Sequence, residues 1–197
     1  MLEEIANSVV TDKDLLEIIQ FEVDFIKSFC VDEKPHNISP ILKVWDSKKQ
    51  LQLVPLTQWK EFNKSGVRRQ IMVEVGAYFY KQWGRDVFPA IVLLTSEAWM
   101  KSFDAKSMPD KIRMPSDYPD AIDSIVVQAI TLTKSSILET EPKPRVAMSI
   151  LEIKQRKPYI QVKELVEPNI TAANRDSTDL LNHFFMGWVK AGMAERN

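Results

Sequence analysis

AIVLLTSEAWMKSF, residues 90–103, opens as a continuous apolar run and then breaks into Thr95, Ser96 and Glu97. The run Ala90 to Leu94 is too short for a buried helix and contains the branched residues of an interior strand. The path of the chain beyond Leu94 turns on the polar triplet: Ser96 is either a nucleophile at the mouth of a strand or the first residue of a helix. A hydrolase elbow needs small residues around its serine, as in GxSxG, to make a strained turn. Here Leu94, Thr95, Glu97, Ala98 and Trp99 surround it. A hydroxyl just before Glu97 instead suits a helix N-cap, where the side-chain oxygen satisfies an orphan N–H and the carboxylate meets the positive end of the helix dipole. The spacing therefore predicts a helix opening at Ser96, anchored to the core by Trp99.

Downstream, residues 101–120 carry three prolines and little periodicity, the pattern of a long loop, and such loops are often functional. Strands are predicted at Ile122 to Thr133, Val146 to Ile153 and Tyr159 to Leu165, the last two forming a hairpin across KQRKP, residues 154–158. Ser177, Thr178 and Asp179 open a C-terminal helix with a stripe of Leu181, Phe184, Phe185 and Trp188, closed by Gly192. Upstream, Thr11 with Asp12 and Asp14 caps a helix over Asp12 to Phe29, whose buried face reads as Ile18, Phe21, Phe25 and Phe29, flanked by Leu15, Ile19 and Ile26. Two short strands, Ile41 to Trp45 and Gln50 to Val54, flank a polar turn. A short helix over Thr57 to Phe62 precedes a longer one ending at Gly84, with Val67, Ile71, Val75 and Phe79 as its stripe. Hairpin-joined strands followed by a helix predict a single α+β domain over residues 1–197. Its antiparallel or mixed sheet has five to six strands, with the long helices packed on one face.

Composition removes several functions. Lys and Arg number 26 against 27 Asp and Glu, and a net charge of −1 gives no global attraction to nucleic acid or an anionic membrane. Cys30 is the only cysteine, so neither an intrachain disulfide nor a CxxC pair can form. The acidic start MLEEIANSVVTDKD is not a secretory signal, and no apolar run approaches the roughly 20 residues of a membrane span, so a cytoplasmic location is expected.

The residues with chemical potential are few. His36 and His183 belong to no HxH, HExxH or HxxxH pattern, so no metal site is expected. Asp117, Asp120 and Asp123 lie within seven residues, but the spacing is not that of an EF-hand, and Asp117 and Asp120 read as turn residues around Pro119. Lys154, Arg156 and Lys157 form a basic hairpin tip that could reach phosphates, with Lys60, Lys64, Arg68 and Arg69 as a second basic patch. Aromatics interleaved with basic residues, the mark of RNA-binding strands, are missing, and nucleic acid is not the favoured partner. No GxGxxG or GxxxxGK[ST] loop is present, and no cofactor is expected. The first 35 residues hold nine acids against three lysines, whereas Lys143 to Lys163 is basic. Neutralisation within the fold is the simpler outcome, and contact between two copies, a homo-oligomer, is the alternative.

LLTSEAWM, the polar loop after it, and MPSDYPDAIDSIVVQAITLT resemble a pattern in uncharacterised bacterial proteins, in which a strand ending in a Ser-Glu-Ala-Trp-like cap is followed by a variable loop and a Pro/Asp turn into another strand. The resemblance covers about a quarter of the chain and implies a small stand-alone bacterial or phage-type protein with no assigned chemistry. The function expected is non-catalytic: a binding or regulatory domain acting on another macromolecule, with a protein partner and no residue assigned a catalytic role. A hydrolase-like pocket of Ser96, Asp117, Asp120 and His183 is one alternative, and nucleic-acid binding through the 154–158 turn is the other.

Overall fold

The computed structural model describes residues 10–46, 48, 50–59, 62, 65–84, 87–100, 118–131, 145–171 and 175–195. Thr11 caps the first helix, α1 (Asp12–Asp32), through a capping box: Asp14 N donates to Thr11 Oγ1 at 3.1 Å, and Thr11 N donates to the Asp14 carboxylate at 2.7 Å. β1 (Ile41–Asp46) and β2 (Leu51–Pro55) form a hairpin whose turn is held by Asp46, which accepts from the backbone N–H groups of Lys48 and Gln50. A 3-10 turn over Leu56–Gln58, in place of the helix expected at Thr57 to Phe62, leads to α2 (Ser65–Trp83). Gly84, at φ +72°, ends α2 in the left-handed conformation that glycine adopts without strain, and its N–H returns to Tyr80 O. β3 (Pro89–Met100), β4 (Ile122–Thr131), β5 (Arg145–Gln155), β6 (Gln161–Thr171) and α3 (Arg175–Ala194) complete the order.

The strands form one six-stranded antiparallel sheet in the order β2-β1-β3-β4-β5-β6, so the α+β class read from the sequence is the one observed. α2 carries the chain past β1, from β2 to β3. Helices cover both faces of the sheet, not one. Leu15, Ile19, Val23, Ile26 and Cys30 of α1 pack on Ile91, Leu93, Ile125, Val127 and Leu151. On the opposite face, Ile71, Met72, Val75, Phe79, Leu181 and Phe184 of α2 and α3 pack on Leu42, Val44, Val92, Leu94 and Ile130. This explains why residues 90–94 are continuously apolar: alternate side chains of a central strand enter two separate cores. α2 and α3 run side by side in the same direction, Arg69 meeting Asp179 near their starts and Tyr80 meeting Glu195 at their ends.

Three further expectations are corrected. Ser96 does not cap a helix; β3 continues through it to Met100, paired without interruption to β4 from Ile91↔Thr131 to Met100↔Ile122. The polar residues that read as a cap are spent on tertiary bonds: Thr95 Oγ1 donates to Glu22, and Glu97 accepts from Ile38 N. Gly192 does not close α3, which runs to Ala194; it lets the Tyr80 ring approach, since a Cβ there would lie 2.9 Å from that ring. On α1 the buried stripe is Leu15, Ile19, Glu22, Val23, Ile26 and Cys30, while Phe21 and Phe25, read as core, face outward.

Candidate interaction surface

α1 packs over β4, β5 and β6, and among the described residues no helix packs over the same face of β1 and β2. Strand alternation puts Lys43 and Trp45 of β1 on that face, and their cross-strand partners Leu53 and Leu51 of β2 beside them. Between this surface and the flank of α1 runs a groove of about 420 Å³ lined by Asp14, Glu17, Ile18, Phe21, Glu22, Lys43, Trp45 and Leu51. Two of its apolar lining residues are open, Phe21 at 71% exposed and Leu51 at 45%, and the neighbours of its lining residue Lys43, Phe25 and Leu53, are 50% and 59% exposed. Large apolar residues scattered singly need no explanation, but these come from a helix flank and an adjoining strand, and Phe21 and Leu51 line one groove. Among the described residues β2 is also an edge of the sheet, paired on one side to β1.

The floor of the groove is fixed by a buried ion pair. Glu22, 3% exposed, accepts from the Lys43 ammonium on one carboxylate oxygen and from Thr95 Oγ1 at 2.8 Å on the other. The Lys43 amine also lies 5.3 Å from the centre of the Phe25 ring, and Phe25 stacks on Phe29. A carboxylate this deep requires such partners, because an unpaired buried charge costs several kcal/mol, about 3–5 when one partner is removed. The network ties α1, β1 and β3 together at the groove. Across α1, a second groove of about 500 Å³ is lined by Leu16, Glu17, Gln20, Glu164, Glu167 and Pro168, where Glu164 pairs with Lys27.

The basic hairpin tip is largely neutralised by its own fold. Arg156 donates to both oxygens of Asp123, from Nε at 2.5 Å and from Nη2 at 2.8 Å, and its Nη2 also reaches Glu97 at 2.9 Å. These hydrogen bonds, Asp123 first, hold the guanidinium above its ordinary value. Lys154 pairs with Glu152, and Lys157 is exposed. Asp12 of the acidic helix pairs with Arg145, so part of the charge asymmetry in the sequence closes within the molecule. Lys60 and Lys64 lie outside the described residues; Arg68 donates to Phe62 O and Arg69 to Asp179.

Among the described residues, no hydrogen bond joins any two of the proposed pocket residues Ser96, Asp120 and His183. Ser96 sits in β3 opposite Val126, on the side of Val92 and Leu94, and Asp120 is in the turn before β4 begins at Ile122. The four strand steps from Ile122 to Val126 span about 13 Å. Nδ1 of His183 donates to Asp179 O one helical turn back at 2.6 Å, and among the described residues no hydrogen bond joins it to Ser96. Asp117 lies outside the described residues, as does most of the predicted loop over 101–120. Among the described residues, no three His, Cys, Asp or Glu side chains gather as a metal site, and no helix is long and apolar enough to cross a membrane.

The sequence carried a signal for the groove that stripe counting passed over. The apolar residues of α1 span two stripes, Leu15-Ile19-Val23-Ile26-Cys30 and Ile18-Phe21-Phe25-Phe29, wider than one sheet contact requires. The acid at Glu22, inside the first stripe, likewise required a buried cation, which Lys43 supplies. No protein-family model matches the chain, and no curated protein or solved structure matches it.

Proposed function

We propose that this chain is a non-catalytic binding or regulatory protein of the bacterial cytoplasm, acting on a protein partner through the groove between α1 and the β1–β2 hairpin. One observation carries the reading: Phe21 and Leu51, both exposed, line one groove whose floor is held by the Glu22–Lys43–Thr95 network, and the exposed Phe25 and Leu53 lie beside its lining residue Lys43. Burial of such an open apolar surface by a partner lowers the free energy by about 25 cal/mol per Å² of apolar area. The nucleic-acid reading is weaker because Arg156 spends its guanidinium on Asp123 and Glu97. The hydrolase reading is weaker because His183 spends Nδ1 on Asp179 O and, among the described residues, no hydrogen bond joins it to Ser96.

The test compares capture of protein from a lysate of the source organism by the wild-type chain, Phe21→Asp, Leu53→Asp and Lys154→Glu/Lys157→Glu. A stoichiometric partner kept by the hairpin-tip variant and lost by the two groove variants supports the reading. A partner indifferent to Phe21 and Leu53, or nucleic acid lost with Lys154 and Lys157, overturns it.

A further inference from the structure

We draw no further inference here: the strongest candidate, the stripe of exposed Met186, Val189 and Met193 along α3, carries nothing because nothing in the structure shows what covers it.

Discussion

Gly76 of α2 lies directly against the carbonyl of Phe184 in α3: a Cβ on that glycine would stand 1.9 Å from the oxygen. Gly187 of α3 makes the reciprocal approach, where a Cβ would lie 2.0 Å from Val73 O. Backbone atoms cannot move aside as a flexible side chain can, so the two helices would have to separate. Gly76→Ala and Gly187→Ala are each expected to lower unfolding free energy by about 3 kcal/mol or to prevent folding, by overpacking. Gly84→Ala meets no neighbour within 4 Å and is expected to cost about 1 kcal/mol, from its positive φ alone. Urea unfolding of the three variants checks the order; equal costs would contradict the close crossing.

Breaking the Glu22–Lys43 pair from one side should harm more than removing it entirely. Lys43→Met leaves the Glu22 carboxylate buried with Thr95 as its remaining partner, an expected loss of about 3 kcal/mol. In Lys43→Met/Glu22→Leu the charge is gone and the loss should be smaller than for Lys43→Met alone. Denaturant melts of the single and double variants decide it, and additive losses would show that the pair is not coupled.

Arg156 holds Asp123 of β4 and Glu97 of β3 through a bidentate and a single contact. Arg156→Ala leaves two carboxylates facing each other at a partly solvated site, and about 1–2 kcal/mol of stability should be lost. Arg156→Lys should restore little, because an ammonium cannot reproduce the planar fork. Thermal melts that show full rescue by lysine would mean that charge alone matters there.

Burial pushes the Cys30 thiol above its ordinary value, and the Glu97 charge adds to the shift. The folded chain therefore binds this proton more tightly than the unfolded chain. That contribution is fully present below the unfolded thiol's value and is lost as pH rises through the folded one. Ellman's reagent at pH 8 should react slowly with the native protein and rapidly in denaturant. Fast reaction without denaturant would place the thiol at the surface.

Ser96 should behave as an ordinary strand residue. Ser96→Val is expected to fold with stability within about 1 kcal/mol of wild type, since β-branched residues suit strands. A fluorophosphonate probe should leave the intact mass unchanged. A stoichiometric adduct lost in Ser96→Val would revive the hydrolase reading.

Local rules determined the elements whose signals are local. Thr11 with Asp14, Gly84, and the hairpin around Asp46 follow from hydrogen-bond donors and acceptors a few residues apart, and any context that folds would use them the same way. The stripe Ile71, Val75 and Phe79 and the antiparallel strands were likewise legible from periodicity. Thr95, Ser96 and Glu97 were not, because a capping hydroxyl and carboxylate look the same in sequence as ones bonded to Glu22, Ile38 and Arg156 far along the chain. Only the tertiary structure decided which apolar stripe of α1 meets the sheet. Both stripes can be buried, but a single helix lying on a flat sheet offers one of them to it, and Glu22 had to reach Lys43 and Thr95. That choice turned Phe21 and Phe25 outward and set Phe21 beside Leu51 of β2 in the lining of one groove.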